Sequence, residues 1–270
     1  MKNEYDHVKK QVQHVFSRHA GKYVTSQTHA QGEDLALLEE WLQPEPQWHA
    51  LDIATGGGHA VRTIAPLCHM VIATDLTMEM LQAAGRHLRA SGVENVCLVR
   101  ADAEDLPFPD ASFDLVTCRI APHHFPDPER FVLEAARVLR PGGLFLLIDN
   151  VSPETESLAR FMNELETLRD PSHVRCPAIS EWQEWLAKYG LTELRSRLRK
   201  KTLSYAEWVD RTAESTEQIK QVELYLRAAS AETKAYYAVL ESPEGEILSW
   251  QTDEWMILCR KEMQQAQTGK

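Results

Sequence analysis

The chain has 270 residues, 43% of them hydrophobic, and a formal charge of -11. That length suits one large domain, or one domain with a substantial insertion, around a packed core. The negative charge argues against nucleic acid and anionic membranes, since both demand a basic surface.

Met1-Lys2-Asn3-Glu4 leads into a polar start with no signal peptide. The longest strongly apolar run, 144–148, is strand-length and too short for a membrane span. Cys68, Cys97, Cys118, Cys176 and Cys259 show no C-x-x-C and sit mostly among apolar residues. Reduced thiols of a cytoplasmic protein are expected.

Residues 3–20 have a helical period, with Val8, Val12, Val15 and Phe16 as the apolar stripe. A turn-forming segment, 23–32, leads to a second helix at 35–42, which Pro44 and Pro46 stop. From 45 to 150 strands and helices alternate, the mark of a parallel α/β sheet.

The first strand, 48–54, carries Asp52 and runs through Thr55 into Gly56-Gly57-Gly58 and a helix to Ala65. The glycines permit positive φ and a close ligand, and the helix points free N–H groups into the turn. This is the layout of a nucleotide-cofactor site at the end of a parallel strand. A dinucleotide fingerprint needs a third glycine where Val61 stands. Asp52 would repel a diphosphate and suits a ligand with an ammonium group.

The second strand, 70–74, closes on Asp75, nineteen positions after Gly56. An acid there can accept both hydroxyls of a ribose; it also reads as a cap-like acid ending a strand. Thr77 is expected to cap the next helix, whose inner face is Leu81, Ala84 and Leu88. Strand three, 96–99, leads into the acidic segment 100–108, and strand four ends at Cys118. Arg119, His123 and His124 follow. Asp127 and Pro128 start a helix with Arg137 and Arg140 in its last turn, ended by Pro141-Gly142-Gly143. Strand five, 144–148, ends at Asp149.

Beyond 150 the character changes. A helix at 154–168 precedes a polar segment containing Asp170, His173 and Arg175. Ser180-x-x-Gln183 reads as a capping box for a helix with Trp182, Trp185, Leu186 and Tyr189 inward. A basic strand, 191–200, alternates Leu194, Ser196 and Leu198 with Arg195, Arg197 and Arg199, as a solvated edge would. Ser204-x-x-Glu207 and Ser215-x-x-Gln218 open two helices, a third lies near 231–240, and the final strand is 254–260.

Asp52-x-x-x-Gly56-x-Gly58 resembles motif I of the class I S-adenosylmethionine (SAM)-dependent methyltransferases. Leu106-Pro107-Phe108-Pro109-Asp110-x-Ser112-Phe113-Asp114 is similar to the ubiquinone/menaquinone methyltransferase-like branch. The helix, Leu139-Arg140-Pro141-Gly142-Gly143, strand pattern is similar too. The resemblance covers roughly 45–150.

It implies an α/β, Rossmann-like, doubly wound and mostly parallel seven-stranded sheet with strands six and seven as a reversed edge. Residues 1–44 would cover the cofactor site, with Tyr23, Ser26 or His29 lining it. Residues 45–150 would form the SAM-binding core, and 151–270 a helical cap plus the last strands. SAM would be held by Asp52, Thr55, Gly56, Gly57, Gly58, Asp75, Leu76, Met80, Asp102, Ala103 and Arg119. Within that set Asp102 and Ala103 would meet the adenine. The helices inserted after strand six depart from the plain quinone enzymes.

The implied activity is in-line methyl transfer to a small molecule. The donor carries the activation, so the protein aligns the reactants and excludes water. A base near neutral pKa helps where the acceptor is a carbon acid or hydroxyl. His123 and His124 are the candidates, unless they only structure their turn. Asp170 and His173 would contact the acceptor or lock the cap. No zinc-like spacing joins His123, His124, His173 and Cys176, so no metal is expected. Two rival readings are a non-catalytic SAM-binding regulatory module and a nicotinamide-dependent oxidoreductase.

Overall fold

The computed structural model describes residues 2–25 and 32–263. Strand β1 (His49–Ile53) pairs in parallel with β2 (Met70–Asp75) and with β4 (Phe113–Arg119). Parallel pairs of β2 with β3 (Val96–Arg100) and of β4 with β5 (Leu139–Val151) extend the sheet both ways. These strands read as near-continuous apolar runs because helices cover both faces. The order is β3-β2-β1-β4-β5-β8-β6. It reverses beside β1, so the crevice at the carboxyl ends of β1 and β4 is a topological switch point.

The far edge corrects one expectation. Strand β8 (Ile247–Lys261) is antiparallel to β5, and β6 (Leu191–Ser204) is antiparallel to β8. Strand β6 therefore runs with β5, and of the two edge strands only β8 is reversed. The long crossover from β5 to β6 returns the chain in the parallel sense. Strand β8 then fills the gap between them. An eighth strand, β7 (Leu240–Glu241), pairs with β8 beyond the seven expected.

One face of the sheet packs Leu51, Ile53, Val116 and Phe145 against Phe131 and its neighbours in α5 (Pro128–Val138) and against α7 (Ile179–Lys188). The other packs Ala50, Val71, Leu115 and Leu146 against α2 (Glu33–Leu42), α3 (His59–Ile64) and α4 (Met78–Ala90). The cap has a core of its own, built on Met162, Leu165, Trp208, Val222, Leu226, Tyr237 and Trp250. It gathers α6 (Glu156–Arg169), α8 (Tyr205–Asp210), α9 (Thr216–Ala228) and α10 (Ala231–Tyr236). Helix α1 (Lys2–Thr25) lies on α4, with Ala20 and Phe16 against Met80 and Ala83. No helix among the described residues is long and apolar enough to cross a membrane.

Several local expectations change. Helix α5 ends at Val138, and Arg140 lies in β5, paired with Asp114 at 2.6 Å. Thr77 stands at the N-cap of α4 without a side-chain bond; Asp75 Oδ1 accepts from its N–H instead (2.9 Å). Helix α7 starts earlier than Ser180: Glu181 accepts from the N–H of Ala178 (2.9 Å), and Ser180 donates to Glu154 (2.8 Å). Its Trp182 and Leu186 are buried, while Trp185 and Tyr189 are half-buried. Ser204 makes no side-chain cap, but Ser215 accepts from Gln218 N–H (3.1 Å).

The basic strand is a solvated edge over 192–198, as expected, with Leu194, Arg195, Arg197 and Leu198 exposed. At its end Arg199 and Lys201 reach inward to Glu254, and Arg195 lies 4.4 Å from the centroid of the Trp41 ring. All five cysteines are free, and only Cys97 is exposed. Ser26 and His29 lie outside the described residues, as does the side chain of Tyr23.

Candidate functional site

Two neighbouring cavities open at the switch point. The first follows the glycine turn from β1 into α3. Gly56 and Gly58 adopt φ of 54° and 81°, values L-residues rarely take, which bend the backbone away from the strand end. A Cβ at Gly58 would meet Leu88 Cγ at 3.2 Å, so the turn also needs glycine to sit on α4. The carbonyl of Gly57 lies 2.7 Å from His87 Nδ1. Ala54 and Ile120, at the ends of β1 and β4, are left-handed without being glycine (φ 54° and 52°). Both line this cavity, and such strain gathers at functional sites.

Asp52 is buried beneath the turn. Its Oδ1 accepts from Thr117 Oγ1 at 2.6 Å, while Oδ2 is buried with no hydrogen-bond partner among the described residues. Burial pushes its carboxyl up to about 6, against the pull of Thr117. Asp75 Oδ2 accepts from Gly56 N–H (3.1 Å), and burial raises this carboxyl to about 6 as well. Arg119 leaves the end of β4 and is gripped through Nε by buried Asp34 of α2. Its Nη2 is buried with no hydrogen-bond partner among the described residues. Burial opposes the charge on Asp34, but Arg119, Lys201 and Arg199 together hold its carboxyl below the usual value.

At the far end of the cavity, Asp102 Oδ1 accepts from Glu104 N–H at 3.0 Å. Lys9 of α1 reaches across to Asp102 (2.7 Å) and pairs with Glu104. Gln13 of the same helix donates to the carbonyl of Leu76 (3.1 Å). Helix α1 is thus pinned over the cavity. Thr55, Gly57, Leu76, Met80 and Ala103 also line it. Every residue expected to hold the cofactor lines this cavity except Gly58, which shapes the turn behind it.

The second cavity lies between the strand ends and the cap. Phe16, Ile120 and His124 border both cavities. His123 faces the second, with Asn150, Glu166, Arg169, Lys201 and Arg211. His123 Nδ1 is 2.6 Å from Asp149 Oδ1, and its N–H donates to Asp149 Oδ2 at 2.9 Å. Burial works against a charge on His123, but Asp149 outweighs it and raises the imidazole above its usual value. His124 is lowered to about 4 by burial and then by His123, and its Nδ1 sits 2.9 Å from the carbonyl of Ser172. The two imidazoles thus divide: one tends to hold a proton, the other stays neutral.

Asp170 and His173 line neither cavity. Asp170 accepts from Ser172 N–H (2.9 Å), and His173 Nε2 sits 3.0 Å from Asn163 Oδ1. They fasten the cap segment behind the histidines. No cluster able to hold a metal ion occurs among the described residues. Lys9, Asp34, Asn150, Glu166, Arg169 and Arg211 escaped the sequence reading. Asp149 was visible as an acid at the carboxyl end of a strand, where such sites form.

Comparison with known proteins places this geometry. Residues 51–147 match the profile of a methyltransferase domain. The uncharacterized methyltransferase YcgJ of Bacillus subtilis is 37% identical over 235 residues, 87% of this chain and 93% of that protein. A Bacillus halodurans C-125 structure solved as a methyltransferase superposes with a TM-score of 0.83 at 35% identity, covering 86% of this chain and all of that one. The ubiquinone/menaquinone biosynthesis C-methyltransferase UbiE of Pseudoalteromonas translucida is 34% identical over 116 residues, 42% of this chain and 46% of that protein.

Proposed function

The chain belongs to the class I SAM-dependent methyltransferases, on the UbiE-like branch, and from that premise we propose that it methylates a small molecule carrying an acidic hydroxyl. SAM would lie in the first cavity and the acceptor in the second. One observation carries the cofactor assignment. Asp52 Oδ2 and Arg119 Nη2, atoms of an anion and a cation, are both buried in one cavity without a hydrogen-bond partner among the described residues. Together they match the ammonium and carboxylate of an amino-acid end. SAM has such an end; a nicotinamide dinucleotide has none.

The remaining cofactor contacts follow from position. Asp75, at the end of β2, would accept from the ribose hydroxyls. The carboxylate of Asp102 and the N–H of Ala103 would meet the adenine edge. Lys9 and Phe16 of α1 would close over the bound molecule and keep water out.

When bound, SAM supplies an electrophilic methyl: its carbon–sulfur bond breaks in line, the pair stays on sulfur, and the acceptor oxygen forms the new bond. The protein aligns the oxygen and receives its proton. His123 suits that task. Asp149 occupies Nδ1, which leaves the lone pair of neutral Nε2 for the hydroxyl proton. Asp149 then stabilises the imidazolium that forms. His124, neutral between the cavities, would position the acceptor. This dyad argues for turnover over a purely regulatory role. Free cysteines and net acidity suit a cytoplasmic enzyme that acts on neither nucleic acid nor membrane.

Calorimetry with S-adenosylhomocysteine and with NADH tests the assignment. Binding of the first alone is expected. Binding of NADH alone would refute it.

A further inference from the structure

The charged groups on the wall of the second cavity are matched within the chain. Glu166 accepts from Arg169 at 3.0 and 2.7 Å, and Arg169 also donates to Thr212 at 2.8 Å. Lys201 meets Glu254 at 2.6 Å, and Arg211 is engaged too. The wall does not ask for an ion. What it leaves open is a set of hydrogen-bond acceptors.

His124 is the clearest of them. Its Nδ1 faces the carbonyl of Ser172 at 2.9 Å and Ser172 Oγ at 3.3 Å. A carbonyl can only accept, so Nδ1 carries the proton. The hydroxyl agrees, since it spends its own proton on Asp170 Oδ1 at 2.5 Å. Burial, and then His123, keep the ring neutral. Its Nε2 is therefore a bare lone pair, and it makes no hydrogen bond among the described residues. The edge-on ring of Phe16, with its centroid 4.9 Å away, holds the imidazole in place. Asn150 Oδ1, on the same wall, is buried with no hydrogen-bond partner among the described residues.

An acceptor with a single hydroxyl spends its only proton on His123. That leaves His124 Nε2 facing the rest of the ligand with nothing to accept, which costs the desolvation of a polar atom. The ring centroids of His123 and His124 are 4.2 Å apart, and both rings line this cavity. Two donors that reach both lone pairs must sit side by side. Hydroxyls on opposite sides of a ring point away from each other.

We propose that the acceptor carries two hydroxyls on adjacent carbons, as a catechol does, one reacting at His123 and the other donating to His124 Nε2. This rests on the methyl-transfer reading above. The reacting oxygen gains the methyl, its proton passes to His123, and the electron pair of the broken bond stays on sulfur. Asn150 Oδ1 takes a further donor or a bridging water. A hydroxyl suits the second position better than an ammonium, which Arg169 and Lys201 on the same wall would repel. The product is a monomethyl ether. It has one donor left, so a second methylation is disfavoured. His124 is then a specificity-determining residue.

The test uses neutral ligands of matched size: catechol, resorcinol, hydroquinone, phenol and guaiacol. Calorimetry measures their binding to the protein saturated with S-adenosylhomocysteine, and methyl-labelled SAM reports turnover. Catechol is expected to exceed phenol and guaiacol by about tenfold or more in both affinity and kcat/KM, the scale of one polar group left unsatisfied. It should gain one methyl only. His124→Phe keeps a ring against Phe16 but has no lone pair, so the ratio of catechol to phenol affinity should fall close to one. A melting curve verifies its fold; the five ligands on the unaltered protein decide the matter without it. Equal or tighter binding of phenol, guaiacol, resorcinol or hydroquinone overturns the proposal. So does an absence of catechol binding, or a catechol advantage that survives in folded His124→Phe. Calorimetry with S-adenosylhomocysteine alone separates the two failures. If it does not bind, the methyltransferase reading falls; if it binds and catechol shows no advantage, only the acceptor class falls.

Discussion

Arg119→Met removes the cation assigned to the carboxylate of the cofactor and leaves the ribose and adenine contacts alone. The lost interaction is one charge-assisted hydrogen bond in a water-poor cavity, worth about 1.5–3 kcal/mol. That converts to roughly 10- to 150-fold in Kd. The informative comparison is between S-adenosylhomocysteine and methylthioadenosine, which lacks the amino-acid end. The first should weaken by that factor and the second should hardly change. The variant also strips buried Asp34 of its main partner. Breaking a buried pair costs about 3–5 kcal/mol, and the lower end applies because Arg199 stays 3.4 Å from Asp34. The double variant Arg119→Met/Asp34→Asn removes that orphan charge and should recover most of the stability. Its binding pattern should match the single variant. Calorimetry gives the affinities and thermal melting the stabilities. Equal weakening of both ligands would mean that Arg119 only shapes the fold.

Three further outcomes follow from the same geometry. Asp52 and Asp75 both titrate at about 6, and only ionised Asp52 can pair with an ammonium. Affinity for SAM should therefore hold above pH 6 and fall about tenfold for each unit below it, with protons released on binding in that range. The rate should rise with pH through the raised value of His123, since only the neutral imidazole accepts a proton. Asp149→Asn should move that limb to lower pH, because the charge that raises His123 is gone, and His123→Gln should abolish it. Lys9→Met unties α1 from Asp102 and Glu104, so stopped-flow release of S-adenosylhomocysteine should quicken while the melting temperature barely moves. An unchanged release rate would mean that α1 does not hold the cofactor in.

The glycine turn, Asp75 and the acidic segment at 100–108 were legible because each is short, contiguous and placed at a strand end. Asp34 was not. It sits in the first turn of α2, where an acid needs no explanation beyond the helix dipole. Its partner Arg119 lies 85 positions away. Lys9 and Asp102 are 93 apart. Separations of that size leave no local signature. Strand β6 is a different case. Its alternation was legible as a solvated edge, and 192–198 are exposed on both faces. The inward turn of Arg199 and Lys201 at its end, onto the buried carboxylates Asp34 and Glu254, has no local signature. The direction of β6 was misassigned for a similar reason, since direction is set by the crossover and leaves no mark within the strand.

Buried polar groups that the chain satisfies differ from those on the cavity walls that it leaves open. Glu134 accepts from the N–H of Leu106 at 2.8 Å and is paired with Arg137 at 2.7 Å. Such groups have what they need from the chain, and burying them is tolerable. Asp52, Arg119 and Asn150 each keep a buried polar atom without a hydrogen-bond partner among the described residues, and all three sit on cavity walls at the switch point. For Asp52, a carboxyl held near 6 instead of its ordinary 3.8 corresponds to about 3 kcal/mol disfavouring its charged form at neutral pH. A ligand cation paired with Asp52 would remove that penalty. Asp52 and Arg119 have opposite charges and share one cavity, which calls for a zwitterion, while Asn150 in the other cavity calls for a hydrogen-bond donor. On the proposed assignment the cofactor and its acceptor would be specified separately, by groups left open on either side of Ile120 and His124.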